Sequence, residues 1–164
     1  MSVFDLSSRT VLVTGATSGI GYETARQLAE RGATVLVHGR TAEEAQAATD
    51  ALVATAGIDA AQLHTFSADF THLEEVETMA RRVIVEHPHL DVLVNNAATA
   101  APERHTLTAD GNEIAFQVNF LAHYLLTRLL EPALTMGSPL SERSRELGEK
   151  PGGRVVNVSS SLHR

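Results

Sequence analysis

The sequence contains no cysteine, which excludes disulfide bonds and thiolate chemistry and leaves no sign of a redox compartment. It also lacks an apolar run near the roughly 18 residues that a membrane-spanning helix needs. Basic residues are not in excess: the formal net charge is -7, which argues against a nucleic acid or an anionic membrane as partner. A small molecule is therefore the expected ligand.

The N-terminal residues 1–9 include the acidic Asp5 and lack a basic start followed by a long apolar run, so they do not read as a signal peptide. We therefore expect a cytoplasmic protein. A chain of 164 residues needs no second domain, and we treat residues 1–164 as one domain. The 43% hydrophobic and 20% charged content is ordinary for a globular domain.

Metal and hydrolase chemistry are both disfavoured. His87 and His89 flank Pro88 at a predicted helix end, where they would cap carbonyl groups and face water. No cysteine or carboxylate cluster completes a ligand set, so no metal is expected. A hydrolase built on Ser160 and His163 would need a strand-turn-helix elbow with flanking glycines, which the sequence lacks.

Short β-branched runs alternate with longer helical patterns along the chain. This alternation predicts an α/β fold of the Rossmann type, a doubly wound parallel sheet of about five strands in the order 3-2-1-4-5. A loop is predicted over 136–153. The predicted strands are 10–14, 34–38, 62–67, 90–95 and 154–159, and the predicted helices are 21–31, 42–55, 72–86 and a long one ending near 134.

Three pairs of residues have the spacing of a capping box, in which a side chain and a carboxylate three residues later close a helix start. The last of these pairs opens the long helix, which is apolar on much of its surface. That helix should pack against the sheet, and it is also a candidate surface for a second copy in a homo-oligomer. The pairs are Thr41 with Glu44, Thr71 with Glu74, and Asp110 with Glu113.

A glycine-rich segment lies between the first predicted strand and the first predicted helix. Glycines there let the backbone turn tightly and approach a pyrophosphate, while free N–H groups at the helix start face the phosphate charge. The segment therefore predicts an NAD or NADP site, the alternative being a tight turn with no ligand. The candidate residues are Gly15, Thr17, Ser18, Gly19, Ile20 and Gly21.

The spacing Gly-x-x-x-Gly-x-Gly resembles the short-chain dehydrogenase/reductase family, and further segments resemble it in the right order. They are 38–40, 68–70, 95–98, 117–119 and 154–160, so the resemblance covers nearly the whole chain. It implies an oxidoreductase that moves a hydride between a nicotinamide and a carbonyl or alcohol carbon of a small substrate. The sequence of residues 108–113 and the Ser-Ser-Ser-Leu-His segment near the C-terminus are similar to the retinol-dehydrogenase-like branch of this family.

The segment after the second strand predicts NADP rather than NAD. An NAD-dependent relative would place an aspartate near Gly39 to bond the ribose hydroxyls, and glycine cannot do so. Arg40 can pair with the 2′-phosphate of NADP, although it could also be a solvated arginine that begins a loop.

The resemblance assigns further cofactor contacts after strands three and four. Asp69, beside Phe70, corresponds to the position that bonds the adenine amino group, with an N-cap or Asx-turn as the alternative role. Asn95, Asn96 and Ala97 correspond to a segment that braces the sheet and borders the cofactor ribose. Ala98 replaces the family's glycine, and a positive φ there would carry a modest cost.

By resemblance, Asn119 is the tetrad asparagine whose backbone helps to hold a water in a proton relay, and Ser160 bonds the substrate oxygen. A solvent-facing or interface amide is the alternative for Asn119, and Ser159 and Ser161 are the alternatives for Ser160. The family's Tyr-x-x-x-Lys lies after this serine, whereas here Tyr22, Tyr124 and Lys150 all precede it. We therefore expect a chain that ends before that motif and is inactive alone; a non-catalytic NADP-binding module or a truncated gene product is the alternative.

Overall fold

A computed structural model describes residues 5–100, 102–136 and 152–160. In this part of the chain, five parallel strands form one sheet in the order β3-β2-β1-β4-β5, which confirms the predicted Rossmann-type α/β fold. Most of the predicted 136–153 loop, and the alternative residue Ser161, lie outside the described residues. The strands are β1 (Thr10–Val13), β2 (Thr34–Gly39), β3 (Leu63–Ser67), β4 (Val92–Asn95) and β5 (Arg154–Asn157).

Helices cover both faces of the sheet. A short 3-10 turn at Ala60–Gln62 precedes β3. A π-helical segment at Gln117–Leu121 joins the last two helices into one continuous helical rod over residues 114–136, which we call the last rod. That rod corresponds to the predicted long helix. The helices are α1 (Gly19–Glu30), α2 (Ala42–Ala56), α3 (Leu73–Glu86), α4 (Ile114–Phe116) and α5 (Ala122–Met136).

The strands separate two apolar clusters because successive side chains point to opposite faces of a sheet. Leu12 packs in the cluster that contains the buried residues of α3 and α5, such as Leu126. Val11 and Val13 pack in the other cluster, with those of α1 and α2. All four residues of β5, in contrast, are exposed.

Two of the three predicted capping boxes are wrong. The Thr41 hydroxyl accepts the Glu44 N–H at 3.2 Å, as expected. However, α3 begins at Leu73 without a Thr71 cap, and its Leu73 N–H donates 3.0 Å to the carboxylate of the distant Asp110. A tertiary contact thus replaces the local cap.

The third predicted box differs because Asp110 is engaged elsewhere. Glu113 caps the last rod instead, its carboxylate accepting the N–H groups of Ala115 at 3.0 Å and Phe116 at 2.6 Å. Backbone N–H donors hold the pKa of both the Asp110 and the Glu113 carboxyl below its usual value, because they stabilise the charged form.

Gln117 is a fully buried amide in which both polar atoms are bonded. Its Nε2 donates to the carbonyl of Phe70 at 3.2 Å and to Asp110 at 2.8 Å. Its Oε1 accepts the Thr108 hydroxyl at 2.7 Å and the Asn112 amide at 2.9 Å. One side chain therefore ties the loop before α4 to the backbone that follows β3.

We expect Gln117→Leu to lower the free energy of unfolding by about 2–4 kcal/mol, because several buried or half-buried partners lose their hydrogen bonds together. Chemical denaturation measures this loss. Gln46→Leu is the matched control, since exposed Gln46 bonds only Asp50 and its replacement should change stability by less than about 0.5 kcal/mol. Equal effects of the two substitutions would contradict the role of Gln117.

Candidate cofactor-binding site

A cavity of about 500 Å³ opens where the carboxyl ends of β1 to β4 meet, at the switch point between β1 and β4. This is the volume range of small-molecule sites. Ten predicted cofactor residues line it: Gly15, Thr17, Ser18, Ile20, Gly21, Arg40, Asp69, Phe70, Asn96 and Ala97.

The glycines of the loop between β1 and α1 satisfy two different demands. Close packing restricts Gly15 and Gly21: a Cβ on Gly15 would lie 2.8 Å from the Cα of Ala97, and one on Gly21 would overlap the Gly15 carbonyl oxygen. Gly19 has a φ of +55°, yet a Cβ there would meet nothing within 4 Å. Gly19 does not line the cavity itself; it borders a shallow groove on the outer face of α1.

The start of α1 fits an anionic group. Ser18 is the N-cap residue, but its side chain makes no capping hydrogen bond to the first turn. A helix start leaves its first N–H groups without intrahelical partners, and the helix dipole adds positive potential there. The loop glycines leave the first turn of α1 free of covering side chains. The residues at this helix start therefore suit the pyrophosphate of a dinucleotide.

His38, at the end of β2, fixes the loop from behind. The Gly15 N–H donates to its Nδ1 at 3.0 Å, and its Nε2 lies 3.1 Å from the Ala68 carbonyl oxygen. An N–H can only donate and a carbonyl can only accept, so the hydrogen must sit on Nε2 of a neutral ring. Burial lowers the pKa of His38 to about 4, which keeps the ring neutral near pH 7.

Asp69 and Phe70 form the wall that follows β3. The Asp69 carboxylate accepts the N–H of Thr71 at 2.9 Å and its hydroxyl at 2.7 Å, so the Asx-turn alternative is present in the structure. Asp69 still lines the cavity. The Phe70 ring stacks on His38 with centroids 4.7 Å apart and meets the ring of His123 edge-on at 5.2 Å.

Arg40 lies at the cavity rim, where it is engaged by Glu44. The guanidinium donates to one carboxylate oxygen of Glu44 at 2.8 Å, and the Arg40 backbone N–H donates to the other at 3.2 Å. The Arg40 side chain is 66% exposed, which leaves it accessible to a ligand.

Thr14 joins β1 to the segment after β4. Its Oγ1 accepts the N–H groups of Asn96 at 2.8 Å and Ala97 at 3.0 Å. His123 Nε2 lies 3.0 Å from the same oxygen, while Nδ1 lies 3.3 Å from the Asn119 carbonyl and must donate to it. Burial lowers the pKa of His123, so its neutral Nε2 is free to accept the Thr14 hydroxyl hydrogen.

Besides Gly19, three further predicted site residues do not line this cavity. Asn95 is buried and donates to Thr127 and Asn157, in keeping with a bracing role. Asn119 is exposed, lies within the π-helical segment and makes two side-chain bonds to the Thr99 backbone, of 2.8 and 3.0 Å. Ser160 is exposed beyond the end of β5.

Sequence reasoning missed His38 and Glu44, both of which line the cavity. A histidine that ends an otherwise apolar strand was an available signal for His38, because the carboxyl ends of parallel strands form the site. Glu44 was assigned only to a helix cap. The departure at Ala98 causes no backbone strain, since no described residue other than glycine has a positive φ.

Comparison with known proteins agrees with the fold. The sequence matches the short chain dehydrogenase family over residues 9–163. It is 36% identical over 159 residues to retinol dehydrogenase 13 of Mus musculus, covering 96% of this chain and 42% of that protein. Polyprenol dehydrogenase of Mus musculus is 40% identical over 155 residues, covering 94% of this chain and 43% of that protein.

A crystal structure of a metagenomic short-chain oxidoreductase in complex with NADP superposes with a TM-score of 0.71. That protein is 31% identical, and the match covers 95% of this chain and 64% of its own. The chain therefore belongs to the short-chain dehydrogenase/reductase family, and the resemblance to retinol dehydrogenases is confirmed at the level of sequence. It spans less than half the length of the two curated relatives named above.

The described residues contain no helix that is long and apolar enough to cross a membrane. They also contain no cluster of three or more histidine, cysteine or acidic side chains able to hold a metal ion.

The lowered pKa of His38 makes folding stability depend on pH. The pKa of His38 is 6.5 in the unfolded chain and about 4 in the folded chain, so acid protonates the unfolded chain at a higher pH. The stability that neutral His38 contributes is therefore fully present above pH 6.5 and is lost as the pH falls toward 4. We expect a loss of roughly 3 kcal/mol from this residue. His123 and the carboxylates add their own pH dependence.

Denaturation of the native chain and of His38→Gln across this pH range isolates the contribution of His38. Glutamine keeps a donor and an acceptor but does not titrate, so the stability of the variant should fall less steeply with acid. A constant difference between the two proteins from pH 7 to pH 4 would mean that His38 titrates alike in both states.

Proposed function

We propose that this chain binds NADP and supplies the cofactor site of an oxidoreductase that acts on a carbonyl or alcohol group of a small molecule. The observation that carries the proposal is the cavity at the β1–β4 switch point, with an uncapped helix start on one side and Arg40 on the other. A bound dinucleotide would supply the hydride that such chemistry requires.

Different parts of the cavity would bind different groups of the cofactor. The start of α1 would face the pyrophosphate, and Asp69 and Phe70 would border the adenine. Asn96 and Ala97 would border the ribose, and their backbone is fixed by the Thr14 hydroxyl. Arg40, the charged group at the rim, would bind the 2′-phosphate that distinguishes NADP from NAD.

The proposed roles of Asn119 and Ser160 concern the proton and the substrate. In the π-helical segment, the Asn119 carbonyl accepts one hydrogen bond from His123, and its second lone pair could hold a relay water. Ser160 would donate to the substrate oxygen. Its exposed position beyond β5 suits contact with a substrate.

Arg40→Ala should weaken NADPH binding about tenfold or more and leave NADH binding nearly unchanged, because it removes a charge-assisted pair with the 2′-phosphate. Fluorescence titration with both cofactors gives the two dissociation constants. Arg31→Ala is a matched control, since Arg31 follows α1 and bonds the Gln27 carbonyl. Equal affinities of the native chain for NADPH and NADH, or an unchanged preference in Arg40→Ala, would refute the assignment.

The 164-residue chain should bind NADPH without turning over a carbonyl or alcohol substrate at a rate typical of an enzyme. No Tyr-x-x-x-Lys occurs within these residues, and general acid–base catalysis alone contributes roughly 10²–10⁴-fold. NADPH consumption with a panel of aldehydes, ketones and retinoids tests this. Turnover that Ser160→Ala abolishes would contradict it and would direct attention to Tyr124 as the acid. A chain that binds NADPH and reduces nothing fits a binding module equally well.

A further inference from the structure

Glu44 is placed so that it can act on whatever Arg40 binds. Glu44 lines the cavity, and its carboxylate accepts hydrogen bonds from both the guanidinium and the backbone N–H of Arg40. Arg40 lies before the Thr41 cap and thus outside α2, so this contact is not an ordinary ion pair along a helix face. The Glu44 carboxylate instead lies on the N-terminal side of the Thr41 cap, where it contacts Arg40 at the cavity rim.

Glu44 itself is held in place. Its backbone N–H donates to the Thr41 hydroxyl at 3.2 Å, and its side chain is 36% exposed, against 66% for Arg40. The carboxylate also accepts the Arg40 backbone N–H at 3.2 Å, which anchors it to the main chain, whereas the guanidinium is the more accessible partner. A ligand that approaches Arg40 also approaches Glu44.

We propose that Glu44 determines cofactor specificity by opposing Arg40, an inference that rests on the proposed function. Toward NADP, its negative charge partly neutralises the guanidinium and repels the 2′-phosphate. Toward NAD, the same carboxylate accepts a hydrogen bond from a ribose hydroxyl, the interaction that Gly39 cannot make. The site therefore prefers NADP less strongly than Arg40 alone would dictate.

The size of the effect follows from Coulomb's law in a partly exposed site. A carboxylate beside a phosphate of nearly two charges, separated from it by a water-like dielectric, weakens binding roughly three- to tenfold. When the carboxylate becomes an amide, the hydrogen bond from a ribose hydroxyl is weakened, because the neutral glutamine oxygen is the weaker acceptor.

The test measures dissociation constants of NADPH and NADH for the whole 164-residue chain and its variants. Glu44→Gln should tighten NADPH binding about three- to tenfold and weaken NADH binding about two- to threefold. Glu43→Gln is the matched control: it removes the same charge from the same first turn of α2, but Glu43 does not line the cavity. It should change both constants by less than about twofold.

Two further variants separate the direct and indirect effects. In Arg40→Ala, the added Glu44→Gln change should bring a smaller gain for NADPH, because there is no longer a guanidinium to release. Glu44→Asp keeps the charge on a shorter side chain and should give an intermediate preference. It also serves as the informative variant if circular dichroism finds Glu44→Gln unfolded.

The possible failures differ in their meaning. Unchanged constants in folded Glu44→Gln, or an equal change in Glu43→Gln, would overturn the role of Glu44 and leave the proposed function standing. A native chain that binds neither NADPH nor NADH would overturn the proposed function itself, and the specificity of the site with it.

Discussion

The side chain of Thr14 is the contact on which the rest of the site depends. Its oxygen accepts two backbone N–H groups from the segment after β4, and its hydrogen goes to the His123 ring or to the Val94 carbonyl. The Asn96 amide returns two bonds to the carbonyls of Thr14 and Gly15. Since the crevice between β1 and β4 is where parallel strands open a site, this network joins its two sides.

The irregular part of the last rod is held at two places. The buried Gln117 side chain donates to the Phe70 carbonyl, and the Asn119 side chain bonds the Thr99 backbone. The π-helical segment, with its i→i+5 bonds, turns the chain less per residue than a regular α-helix, and such segments are frequent at functional sites. The Asn119 carbonyl within this segment lies 3.3 Å from Nδ1 of His123.

Local patterns were enough to predict the strands and the glycine loop, because short β-branched runs and glycine turns depend on neighbouring residues. The strand order followed from the alternation of these strands with helices in a doubly wound sheet. Contacts between distant residues were beyond such reasoning. Asp110 caps α3 across 37 positions, and His38 accepts from Gly15 across 23. Glu44 was predicted as one half of a capping box, and its N–H does bond the Thr41 hydroxyl. Its carboxylate, however, contacts Arg40, and this contact becomes visible only in the folded structure. The cofactor walls were thus predictable, whereas the residues that tune them were not.

The proposed site is divided between two parts of the fold that differ in burial. Every described residue that lines the cavity lies between Gly15 and Val118, at or near the carboxyl ends of buried strands and on the helices beside them. Asn119 and Ser160, the residues proposed to handle the proton and the substrate oxygen, are both exposed, and Ser160 follows a strand whose four residues are exposed as well. Under the proposed function, a dinucleotide would contact only the first part, where buried strands hold the lining residues in place. Proton transfer and substrate contact would depend on the second part, where Ser160 and the residues of β5 are exposed.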